Sequence, residues 1–120
     1  MVYDEVAARY GEDPAPALRE QVAKALYNTG VRLGALGHST EAIAVYDEVA
    51  ARYGEDPALR ERVTAALVNK GFALGALGRS TEAVAVYDKV AARYGEDPAP
   101  AVREVVARAV SALQGPGQEG

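Results

Sequence analysis

Few residues in this 120-residue chain are of a kind that does chemistry. Its single histidine, His38, precedes Ser39, Thr40 and Glu41, which would need to fold onto one another to make a nucleophile and its base. Forty-one positions further on, the same stretch reads Arg79, Ser80, Thr81 and Glu82. A position that takes histidine in one copy and arginine in the next holds neither a metal nor a proton relay, and reads as a solvated turn. Glu-Asp pairs at 12–13, 55–56 and 96–97 supply carboxylates, but no ligand-rich loop of the calcium type surrounds them. Each aspartate stands before a proline, the signature of a helix N-cap followed by a residue with no amide hydrogen to lose. The glycines of residues 30–37 keep helical spacing and follow no strand, so they form no phosphate-cradling loop. Cysteine is absent, which removes thiolate nucleophiles, thiolate metal sites and disulfides together. The expectation is a protein that is not an enzyme and uses no cofactor or metal.

Composition narrows the class further. Hydrophobic residues make up 49% and charged residues 25%, which is enough apolar surface for a folded chain. With a net charge of -4 and a pI near 5.0, the chain has no electrostatic footprint for nucleic acid or anionic lipid. No apolar run approaches the roughly 18 residues needed to cross a bilayer, and the N-terminus has no signal-peptide profile. Together with the lack of cysteine, this points to a cytoplasmic setting.

The elements that place these residues repeat along the chain. VYDEVAARYGEDP at 2–14 recurs unchanged at 45–57, and again at 86–98 with Lys89 in place of glutamate. The units are 2–44, 45–85 and a truncated third ending near 113, with 114–120 expected to be a disordered tail. Residues 17–44 and 58–85 share nineteen of twenty-eight positions. Recent duplication and consensus engineering would both produce such identity. Each unit reads as two helices. Helix A runs from Asp-Pro to about Leu36 or Leu77, with Leu18, Val22, Leu26 and Leu33 on one face. Gly37 and Gly78 supply a left-handed stop. Ser39 and Ser80 are expected to cap helix B, with Glu41 and Glu82 in its first turn. Gly30, Gly34, Gly71 and Gly75 lie inside helix A, where each costs about 1 kcal/mol relative to alanine, so a close helix contact is expected there, with Ala42 and Ala83 as partners. No period-two alternation suggests a strand, and the fold class is all-α.

The spacing Leu26, Gly30, Leu33, Gly37, Ala42, Tyr46 and Val49, repeated as Leu67, Gly71, Leu74, Gly78, Ala83, Tyr87 and Val90, resembles the tetratricopeptide repeat. Units of that family have about 34 residues. These are longer, the surplus lying before the motif, so the chain is similar to a subclass with repeats of about 42 residues. The resemblance implies a right-handed α-solenoid of antiparallel helix pairs that binds a protein or peptide ligand on the concave face of helix A.

Mapped onto this chain, that face comprises Lys24, Tyr27, Asn28 and Val31, then Val68, Asn69 and Phe72. Asn28 and Asn69 have side-chain amides able to hold a peptide backbone whatever its sequence, although an exposed asparagine kept by duplication has the same appearance. Six of the nine differences between the two twenty-eight-residue blocks fall between Ala23 and Arg32, where a partner would be read and where drift would also accumulate. Lys24 and Arg108 are too few cations for a carboxylate clamp. The array begins and ends in mid-repeat. This raises an alternative, a homo-oligomer formed by end-to-end or swapped packing of Val2, Tyr3 and Val6 against Val102, Val106, Val110 and Leu113.

Overall fold

The computed structural model describes residues 16–114. Five α-helices follow one another: α1 (Pro16–Ala35), α2 (Ser39–Tyr53), α3 (Arg60–Ala76), α4 (Ser80–Tyr94) and α5 (Pro100–Gln114), with a 3-10 turn at Pro57–Leu59 before α3. No strand occurs among the described residues. Consecutive helices pack on one another, and α3 also touches both α1 and α5. The three A helices therefore line up side by side, with α2 and α4 behind them. The Asp13-Pro14 cap, Val2, Tyr3 and Val6 lie outside the described residues. At the other end α5 continues through Gln114, so that residue belongs to the array and not to a tail.

Two apolar clusters form the core. One gathers Val22, Leu26 and Leu33 of α1, Val45, Tyr46, Val49 and Tyr53 of α2, and Leu59 and Val63 at the start of the next unit. The other joins Val68 and Leu74 of α3, Tyr87, Val90 and Tyr94 of α4, and Val102, Val105 and Val106 of α5. Tyr27 and Leu67 touch both, which makes the core continuous across the repeats. Thr64, fully buried at the junction, satisfies its hydroxyl by donating to the Arg60 carbonyl at 2.6 Å.

The A-to-B turns follow from one residue each. Gly37 has φ +82° and Gly78 φ +76°, a left-handed conformation that a Cβ would strain. Around it, the His38 amide donates to the Leu33 carbonyl at 2.8 Å and the Gly37 amide to the Gly34 carbonyl at 3.1 Å. The second turn repeats this with Arg79 to Leu74 at 2.9 Å and Gly78 to Gly75 at 3.0 Å. Both are Schellman closures, which satisfy carbonyls that the helix end would otherwise orphan. They shift the next helix start by one residue from the expected cap. His38 and Arg79 occupy the cap positions, without a side-chain cap hydrogen bond, and Ser39 and Ser80 are already helical. The capping residue's side chain instead meets the first-turn glutamate, as in the 2.9 Å contact of His38 with Glu41.

Adjacent units are tied by a repeated ion pair. Arg19 meets Asp56 at 2.9 Å, and one repeat later Arg60 meets Asp97 at 2.7 Å. In each case the aspartate also caps its own unit: Asp56 accepts from the Ala58 amide at 3.0 Å and Asp97 from the Ala99 amide at 2.9 Å. Partial exposure limits such a pair to about 0–1 kcal/mol. Its geometric role is register, since it fixes where each new helix A begins.

The helical glycines divide into two kinds. A Cβ on Gly30 would run into the Tyr46 ring, and one on Gly71 into the Tyr87 ring. The close partner is thus the tyrosine and not Ala42 or Ala83. Gly34 and Gly75 face open space and pack against nothing, contrary to the expectation from spacing. Gly30→Ala and Gly71→Ala should each lower stability by about 1–3 kcal/mol through overpacking. Gly34→Ala and Gly75→Ala should raise it by about 0.5–1 kcal/mol through helix propensity. Urea unfolding followed by helical circular dichroism checks this, and equal effects at all four positions would contradict the packing described.

Candidate functional site

Side-by-side A helices leave grooves between them, and the described residues line two depressions beside α3. The first, of about 270 Å³, lies between α1 and α3, with Val31 and Gly34 on one wall, Phe72, Ala73 and Ala76 on the other, and Ser39, Ala42, Tyr46 and Asn69 completing it. Val31 is 43% exposed and Phe72 44%, comparable to Leu77 and Val84 elsewhere on the array, but these two share one depression. Phe72 is held in place by a tilted contact with Tyr87, their ring centroids 5.8 Å apart. The second depression, of about 240 Å³, involves α1, α3 and α5 and mixes charges: Glu20, Glu61, Arg62 and Arg108 surround Tyr27, Ala65 and Val105.

The two depressions meet at a polar bridge. Asn69 donates from Nδ2 to the Tyr27 hydroxyl oxygen at 3.0 Å, a contact between successive repeats. The Tyr27 ring is tilted against Tyr46 with centroids 6.1 Å apart, and the Arg62 guanidinium sits 5.2 Å from the Tyr27 ring centre. Such a cation–π contact contributes about 0.5–1 kcal/mol at an exposed site. Lys70, on the same helix as Asn69, is committed to Asp47 at 2.6 Å.

Of the residues expected on the concave face, Val31, Asn69 and Phe72 share the first depression, and Tyr27 lines the second. Lys24 and Asn28 are exposed on α1 but line neither. Val68 is a correction: it is fully buried in the α3–α4–α5 core and presents nothing to a ligand. The reason is position. α3 is flanked on both sides, so a residue type that is accessible on α1 is covered on α3 by α5. Arg62 is the residue that sequence reasoning missed. Its signal was the replacement of Gln21 by an arginine at the equivalent place. Two of the described residues expected at the chain junction are also corrected. Val102 and Val106 are buried against α3 and α4, Leu113 is partly buried on the same core, and Val110 alone stays exposed, at 39%.

Among the described residues no group of three potential ligands is placed to hold a metal, and no helix is long and apolar enough to cross a membrane. The architecture is an all-α repeat array of antiparallel helix pairs. A family model for the tetratricopeptide repeat matches residues 65–97, which span most of α3, all of α4 and the aspartate that opens the next unit. Over that stretch the chain is similar to the tetratricopeptide repeat, a class of repeats that in general serve protein interaction. No curated protein and no solved structure matches it.

Burial pushes the pKa of Tyr46, Tyr53, Tyr87 and Tyr94 above the usual 10.0. The Tyr94 hydroxyl is buried with no hydrogen-bond partner in the structure. The unfolded chain releases these protons near pH 10 while the folded chain retains them, so above that pH the native state binds more protons. Stability is accordingly complete below pH 10 and drains away as pH rises towards the raised native values. Tyrosinate absorbance should rise together with loss of helical circular dichroism. Ionisation of these tyrosines in a chain that stays helical would contradict their burial.

Proposed function

We propose that the chain is an interaction module holding an extended peptide or protein segment in the groove between α1 and α3. The observation that carries this reading is the pairing of Val31 and Phe72. They occupy the same position in successive repeats, both are close to half exposed, and both face one depression whose side chains are otherwise small or polar. An apolar ligand side chain seated between them would gain about 1.5–3 kcal/mol from burial. Tyr27 and Asn69 supply polar contacts beside it, and Arg62 and Arg108 give the second depression a means of reading charge.

End-to-end self-association has less support. Val102 and Val106 are already covered within the chain. Each described helix pair seats a tyrosine on a glycine, Tyr46 on Gly30 and Tyr87 on Gly71, whereas the matching position of α5 is Gln114. A second copy's tyrosine would not find the same seat there.

Peptides captured from a random display library should be lost on Val31→Lys, a change at an exposed position that leaves the fold intact, and weakened on Phe72→Ser. Light-scattering mass should stay at 12.6 kDa from micromolar to millimolar chain, unaffected by Val110→Lys. A mass that climbs with concentration and collapses on Val110→Lys would replace this reading with self-assembly.

A further inference from the structure

We infer that the outer face of α5 is a docking surface for an amphipathic helix of a partner protein, laid antiparallel to α5 with a carboxylate just beyond its C-terminus. Each complete helix A carries one stripe that its own helix B covers. On α1 the stripe is Arg19, Ala23, Leu26 and Gly30, and on α3 it is Arg60, Thr64, Leu67 and Gly71. These spacings put all four residues on one side of a helix. α2 lies on the first stripe, leaving Ala23 0% and Leu26 1% exposed, with Tyr46 over Gly30. α4 lies on the second, where Thr64 is fully buried and Tyr87 sits over Gly71. On α5 the stripe is Arg103, Ala107, Val110 and Gln114. No further helix follows α5 among the described residues, and Arg103, Ala107 and Val110 are exposed. The neighbouring wall is bare as well. Ile43 of α2 packs against the core of the following unit, whereas Val84, its counterpart on α4, is 45% exposed.

The two covered stripes define the occupant by charge. Arg19 meets Asp56 at 2.9 Å and Arg60 meets Asp97 at 2.7 Å, each aspartate lying three residues past the end of the covering helix. Arg103 is the third arginine of that series and has no ion pair among the described residues. A carboxylate in the same place beyond an antiparallel helix would complete it, while Ala107, Val110 and Val84 call for an apolar stripe along that helix. At the far end the requirement changes. Gly30 and Gly71 each receive a tyrosine ring, but Gln114 stands at the matching position of α5. The occupant therefore carries a small residue there in place of an aromatic. That difference disfavours a helix B of this chain, which brings Tyr46 or Tyr87, and selects a helix from another protein.

A suitable probe is the peptide of residues 39–57 of this chain with Tyr46→Ala, amidated at its C-terminus and stapled on its solvent side to keep it helical. It holds the apolar stripe and Asp56 in the required order. Titrated with the full chain and followed by fluorescence anisotropy, it should bind saturably. Val110→Lys in the chain should weaken binding by roughly tenfold, and Arg103→Glu by about fivefold. Asp56→Arg in the peptide should restore its affinity for the Arg103→Glu chain, and reinstating Tyr46 should cost about fivefold. Val31→Lys should leave binding unchanged, which separates this surface from the groove between α1 and α3. No saturable binding up to millimolar chain would overturn the inference. So would binding that survives Val110→Lys, because the peptide would then be displacing α2 from α1. A tyrosine peptide that binds as tightly as the alanine one would overturn it in favour of a second copy of this chain.

Discussion

The structure depends on two places where a tyrosine ring takes up the space that a side chain would fill. Tyr46 lies over Gly30 and Tyr87 over Gly71, each too close for a Cβ to intervene. This contact sets how near the two helices of a pair can come, and everything on the ligand side is measured from it. Tyr46 forms part of the wall of the first depression and packs its ring against Tyr27, which accepts the Asn69 hydrogen bond. Tyr87 supports Phe72 from behind. The same aromatic residues that hold each pair together thus furnish the floor of the groove, and core packing and site geometry cannot be varied separately.

What was legible in the sequence is what local chemistry decides. The repeat, the helix pairs and the left-handed stops at Gly37 and Gly78 depend on neighbours within a few positions. What was not legible depends on what lies across the gap. Gly30 and Gly34 are the same residue one turn apart, yet one is pressed against a ring and the other faces open space. Val68 occupies the position of Tyr27 in the next unit, but its helix is covered on two sides and its side chain disappears into the core. Ser39 has the ideal chemistry for a cap and is displaced because the turn closure needs His38 there. The bond from Asn69 to Tyr27 joins residues 42 positions apart, beyond the reach of any local pattern.

The two repeats share a framework but offer a partner different surfaces. The residues that set the helix pair, from Leu26, Gly30 and Tyr46 to Leu67, Gly71 and Tyr87, keep their types. Gln21, Lys24, Tyr27 and Val31 become Arg62, Ala65, Val68 and Phe72 on the same helix. The consequence is a graded groove, apolar where Phe72 and Val31 face each other and charged where Arg62 and Arg108 stand among glutamates.

The aspartates at the unit boundaries have one further implication. Asp56 uses one oxygen to start its own unit and the other to hold the arginine of the unit before, and Asp97 does the same. Orienting a carboxylate for one task thereby prepares it for the other. Each of these arginines reaches forward to the unit that follows, while Arg93 of α4 reaches back to the Gly54 carbonyl at 2.8 Å, so the junction is clasped from both sides. Coupling across each boundary therefore runs both ways, as it does at the nearest-neighbour interfaces of a repeat array.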